Sequence, residues 1–108
     1  MKKLFVIIAL LFSYTLASDY SDGFKLYKQA KKALRKDKIS SANNLFLQAK
    51  IKFESASKNN TQALIKLAEL YCNGWGVTQD KIQAENYLNK AKKLGVSFIS
   101  SKCLKNLN

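Results

Sequence analysis

The sequence predicts an all-α chain, a short α-solenoid of antiparallel helix hairpins with about five helices after a signal peptide. Three observations predict it. Apolar residues recur at spacings of three and four, and no useful length alternates with period two. The 108 residues hold no proline, and three of the four glycines, Gly74, Gly76 and Gly95, fall between apolar stripes. Finally, Ala42-x-x-x-Phe46-x-x-Ala49 returns as Ala84-x-x-x-Leu88-x-x-Ala91. Small residues at those positions let neighbouring helices approach closely, and a repeated helix pair of this kind marks a solenoid.

The first element is a targeting segment. Lys2 and Lys3 precede an unbroken apolar run from Leu4 to Phe12, and Thr15-Leu16-Ala17 offers a small-x-small cleavage site. A run that short does not span a bilayer, which needs about 20 residues. Residues 1–17 therefore read as a secretory signal peptide cut after Ala17, which implies a periplasmic or secreted product. The alternatives are a retained anchor or a buried first helix.

The leader takes two of the 19 Lys and Arg residues and none of the seven acidic ones, so the mature chain stays strongly basic. Export removes nucleic acid as the natural partner of that charge. Acidic proteins and weak attraction to an anionic membrane surface remain.

The first mature helix carries Phe24, Tyr27, Ala30, Ala33 and Leu34 on one face, with Ser21 or Asp22 as N-cap. The cluster Arg35-Lys36-Asp37-Lys38 breaks it. From Ile39 to about Ser57, Ala42, Leu45, Phe46, Ala49, Phe53 and Ala56 make the cleanest stripe in the chain, with Ser40 or Ser41 near its start. After the break at Ser57-Lys58-Asn59-Asn60, Thr61 caps a third helix through Ala63, Leu64, Leu67, Ala68 and Tyr71. Asp80 caps a fourth through Ala84, Tyr87, Leu88, Ala91 and Leu94, stopped by Gly95 in the left-handed conformation. Ser97 opens a fifth through Phe98, Ile99, Cys103, Leu104 and Leu107.

Between the third and fourth helices lies Leu70-Tyr71-Cys72-Asn73-Gly74-Trp75-Gly76-Val77. Gly74 is expected to end the third helix, Gly76 to reverse the chain a second time, and Val77 to pack into the hairpin beneath a partly exposed Trp75. A dinucleotide loop would need a third glycine where Gln79 stands, and a preceding strand.

The stretch from Ala63-Leu64 through Leu67-Ala68-x-Leu70-Tyr71-x-x-Gly74-x-Gly76-Val77-x-x-Asp80 to Ala84-x-x-Tyr87-x-x-Lys90-Ala91-x-x-x-Gly95 resembles one Sel-one-like repeat, a branch of the tetratricopeptide-like helical repeats. Ala68 stands where that pattern usually has its first glycine. The resemblance implies a repeat at residues 61–96, a divergent tetratricopeptide-like pair at 18–60, and a capping helix at 97–108 that begins a further repeat.

Chemistry has little to build on. Histidine is absent, the seven carboxylates are scattered, and two cysteines do not make a zinc site, so no metal or cofactor is expected. Ser55-Ala56-Ser57-Lys58 fits S-x-x-K, the nucleophile and lysine of penicillin-recognising enzymes, without the partner motifs S-D-N and K-T-G. The resemblance gives this weight, because cysteine-rich secreted Sel-one-like proteins of Helicobacter and relatives are described as penicillin-binding proteins and β-lactamases. A β-lactam hydrolase with Ser55 and Lys58 at its centre is thus the alternative function.

Cys72 and Cys103 are an even pair in an oxidising compartment and either bridge or stay buried thiols. Against the bridge, Cys72 lies five residues beyond the helix position equivalent to Cys103. At about 1.5 Å rise per residue and about 9 Å between axes, that separates the Cα atoms widely.

The leading expectation is non-catalytic: an exported helical-repeat protein that mediates protein–protein interaction in the bacterial cell envelope, as an adaptor, assembly or immunity-type factor. Its inner face would hold Tyr27, Lys28, Lys31, Gln62, Ile65, Lys66 and Glu69, with Lys102 on the cap, and would suit an acidic, partly apolar protein partner.

Overall fold

The computed structural model describes residues 2–107, with side chains described from Asp19 onward. The side chains of the leader and its cleavage site after Ala17 lie outside those described. Among the described residues there are five helices and no strand: α1 (Lys2–Arg35), α2 (Ile39–Ala56), α3 (Thr61–Asn73), α4 (Lys81–Lys93) and α5 (Lys102–Lys105). α1 pairs with α2 and α3 with α4, two helix hairpins stacked through α2 and α3. No helix among the described residues is long and apolar enough to cross a membrane.

Two buried clusters hold this stack together, and α3 supplies both. Ala63, Leu67 and Leu70 face the first hairpin, where they meet Tyr27, Phe46 and Phe53. Leu64, Ala68 and Cys72 face the other way, towards Leu88 and Leu104. A helix buried on two sides is what stacking requires, since one hairpin cannot cover its own apolar face. The repeated motif behaves as its spacing predicts: Ala42, Phe46, Ala49, Ala84, Leu88 and Ala91 are all buried. Burying one such large side chain contributes about 1.5–3 kcal/mol.

The connection between α3 and α4 is also as expected, with φ of 70° at Gly74 and 73° at Gly76. Gly76 is required twice over. Besides its left-handed backbone, a Cβ there would lie 2.7 Å from Leu47 N and from Phe46 Cβ. Its own N–H donates to Asn43 Oδ1 at 3.2 Å, which ties the turn to α2. Trp75 is half-buried and stacks on Phe46, with ring centroids 5.0 Å apart and planes 11° off parallel. Asp80 caps α4 by accepting from Gln83 N at 3.0 Å. Gly95 follows Leu94, the C-cap of α4, with φ of 103°, and Val96 N donates back to Ala91 O.

Several boundaries differ. α1 is continuous past Ser21 and Asp22, so neither residue caps it. Lys38, not Ser40 or Ser41, precedes α2 and makes no side-chain cap. Asn60, not Thr61, caps α3, because its extended backbone aims Oδ1 at the N–H groups of Gln62 and Ala63. The fifth helix does not begin at Ser97. Residues 96–101 are non-helical, Phe98 is exposed, and Ser101 caps a single turn at Lys102–Lys105.

That last difference decides the cysteines. Cys72 and Cys103 form a disulfide, with Cα atoms 6.2 Å apart. The geometric objection assumed a full helix running alongside α3. With 96–101 outside any helix, the chain crosses to the end of α3 and sets Cys103 beside Cys72. Across a sequence separation of 31, such a bridge contributes about 3–4 kcal/mol in the chain-entropy account.

Candidate functional site

A groove of about 690 Å³ opens between α1, α3 and the segment leading into α5. Helical spacing builds its first wall: Phe24, Tyr27, Lys28, Lys31 and Arg35 recur at three and four along α1 and line one side. Lys66, Glu69 and Asn73 answer from α3, and Trp75 closes the end at the glycine turn. Residues 100–103 form the third wall.

Lysines from both helices converge on the aromatic floor. Lys66 Nζ stands 4.4 Å from the centroid of the Tyr27 ring and 5.7 Å from that of Phe24. Lys31 Nζ lies 5.5 Å from Tyr27 and 5.7 Å from Trp75, and Lys28 Nζ is 4.8 Å from Phe24. Ring faces carry negative quadrupole, so each ammonium is attracted to its ring even as the two repel each other. Burial lowers the Lys66 pKa, and the charge of Lys31 lowers it further. The ion pairs among the described residues are Lys50–Glu54 and Lys52–Asp19, and neither lies in the groove.

Glu69 sits at the floor with only 7% of its surface exposed, and the Tyr27 hydroxyl donates to its Oε1. Burial pushes its carboxyl up to about 7, and a hydrogen bond with Ser101 partly opposes that. Burial therefore favours the neutral form of the acid on the groove floor, beneath lysines that have no ion pair among the described residues.

Of the residues expected on the inner face, Tyr27, Lys28, Lys31, Lys66, Glu69 and Lys102 line this groove. Gln62 does not: it is exposed at the start of α3, where its N–H meets the Asn60 cap. Ile65 does not either. It is buried in the second cluster, because the returning C-terminal segment covers that side of α3 with Leu104. Phe24 extends the α1 stripe and was legible from it, whereas Arg35, read with the cluster that breaks the helix, is its last residue and reaches the groove. Ser100 and Ser101 were not, because they fall in the stretch read as helix.

Ser55 and Lys58 lie away from the groove. The Ser55 hydroxyl donates to Asp19 Oδ2 at 2.6 Å, and Lys52 Nζ stands 3.6 Å from Asp19 Oδ1. Lys58 is exposed in the turn beyond α2. The hydroxyl is thus held by a buried carboxylate on α1, and the S-x-x-K spacing ends across a helix terminus.

The family model described as Sel1 repeat matches residues 11–33 and 61–96. The first match lies within α1 and begins inside the segment read as a leader; the second covers α3, the glycine turn and α4. No curated protein and no solved structure matches the chain. The matched residues make up more than half of the 108, and the second match falls where the Leu70–Gly76 turn and the Ala84–Ala91 stripe carry the resemblance. The chain belongs to the Sel1-repeat family.

Proposed function

We propose that the chain is an exported helical-repeat protein of the bacterial cell envelope that holds an acidic, partly apolar segment of another protein in the groove between α1 and α3. One observation carries the reading: Lys31 and Lys66, from different helices, converge over the Tyr27 ring with no carboxylate in ion-pair range among the described residues. An incoming carboxylate relieves their repulsion, while Phe24 and Trp75 offer apolar area beside it. Lys28, Arg35 and Lys102 add charge at the rim and favour acidic partners during encounter. Family membership supports a helical-repeat interaction role. Export rests on Lys2-Lys3 and the Leu4–Phe12 run, and the task is adaptor, assembly or immunity-type.

Fluorescence anisotropy with labelled eight-residue peptides tests the binding reading. A Glu/Leu alternating peptide is expected to bind at least tenfold more tightly than a Glu/Ser or Lys/Leu peptide. Equal affinity for all three would remove the groove as a site for acidic, partly apolar segments. Export is tested by the mass of the protein recovered from cell envelopes, which is expected to begin at Ser18.

A further inference from the structure

Two walls of the groove belong to long helices packed into the buried clusters, and the third does not. Residues 100–103 follow a stretch without helix in which Gly95 is left-handed and Phe98 is 78% exposed. Beyond them α5 is one turn long, and a helix that short does not persist alone. Two features tie this segment to the rest: Leu104 buried against α3 and α4, and the Cys72–Cys103 bridge. Cys72 is fully buried in α3, whereas Cys103 is half-buried and borders the groove.

We propose that the Cys72–Cys103 disulfide is a redox latch on this third wall, so that the groove holds an acidic segment when the bridge is closed and releases it when the bridge is opened by a dithiol reductant. This regulation rests on the acidic-segment reading above. A thiolate of the dithiol attacks the more accessible Cys103 sulfur, Cys72 leaves as thiolate and takes a proton, and a mixed disulfide forms. The second thiol of the reductant resolves it, releasing Cys103 as thiol and leaving the reductant oxidised to its own disulfide. Two electrons and two protons pass to the protein.

Opening the bridge has two electrostatic consequences in the same direction. The charged and titratable groups lining the groove around Glu69 are Tyr27, Lys28, Lys31 and Arg35 from α1, Lys66 from α3 and Lys102 from the third wall. Only Lys102 leaves with the wall, so the rim loses a cation. Ser101 leaves as well, and water reaches Glu69. The burial that holds this carboxyl protonated near neutrality is lost, and a negative charge appears on the floor. An acidic ligand is disfavoured by both changes.

The test combines amide hydrogen exchange with anisotropy of the Glu/Leu peptide, on the full chain before and after dithiothreitol. A Cys72→Ser/Cys103→Ser double variant is measured beside it. The latch predicts that reduction speeds exchange in 96–107 at least tenfold more than in α1 to α4, and weakens affinity at least tenfold in both the reduced chain and the variant. Unchanged exchange and affinity on reduction overturn it. An acceleration in α1 to α4 as large as that in 96–107 overturns it too, since the bridge would then act on the whole fold and not on the third wall. If the oxidised chain ignores the peptide while reduction still frees 96–107, the latch stands and the acidic-segment reading falls.

Discussion

Tyr27 on α1 donates its hydroxyl hydrogen to Glu69 on α3, 42 positions along the chain, and this bond joins the two hairpins at the floor of the groove. It places an ionisable acid where a solenoid interior is dry. The lysines above it are then the groove's exposed charge.

The raised pKa of Glu69 makes stability fall as pH rises. Folded, the carboxyl titrates at about 7; unfolded, it titrates near its ordinary value of 4.5. Between those values the folded state binds the extra proton, so stability present below the lower value is lost as pH climbs to the upper one. The loss amounts to about 3 kcal/mol. Denaturant unfolding at several pH values is expected to show this slope in the native chain and to lack it in Glu69→Gln.

Gly76 and Gly95 share a left-handed backbone and differ in surroundings. A Cβ at Gly76 collides with Phe46 and the Leu47 backbone, whereas at Gly95 nothing lies within 4 Å. Gly76→Ala is expected to cost about 3 kcal/mol or more, from backbone strain and forced repacking together. Gly95→Ala carries the backbone strain alone, about 1–2 kcal/mol. Thermal unfolding of the two variants measures the difference.

Phe46 is fully buried and stacks against Trp75. Phe46→Ala is expected to destabilise by about 3–5 kcal/mol through the cavity it leaves. Trp75 is the chain's one tryptophan, so its emission reports the same site and is expected to move to longer wavelength. Destabilisation with unchanged emission would contradict the stacking.

The α3 cap separates two neighbouring residues. Asn60→Ala removes the acceptor for Gln62 N and Ala63 N and is expected to cost about 1 kcal/mol. Thr61→Ala removes no cap and is expected to change stability by less than about 0.5 kcal/mol.

Legibility followed the range of the interactions. The α3–α4 hairpin was readable because its signals are local: glycines at a turn, Asp80 as a cap, alanines at fixed spacing. The α1 wall was readable for the same reason, since one helix face carries it. What escaped was set by contacts across the sequence. The Tyr27–Glu69 seam has no local pattern, and Ile65 is buried only because the C-terminal segment returns over α3. The stretch 97–101 has apolar residues at helical spacing, yet Phe98 points outward and the non-helical chain brings Cys103 to Cys72. Reading that stretch as helix hid the groove's third wall and made the bridge look too long.

The central claim is that the groove lysines, and not the basic surface at large, recognise an acidic segment. The direct measurement compares Lys31→Ala/Lys66→Ala with Lys81→Ala/Lys92→Ala, two variants of equal net charge, by anisotropy of the Glu/Leu peptide. Lys81 and Lys92 are exposed on α4, away from the groove. The account predicts at least tenfold weaker binding for the groove pair and less than twofold for the α4 pair. Equal losses in both would contradict it and reduce the interaction to general charge attraction.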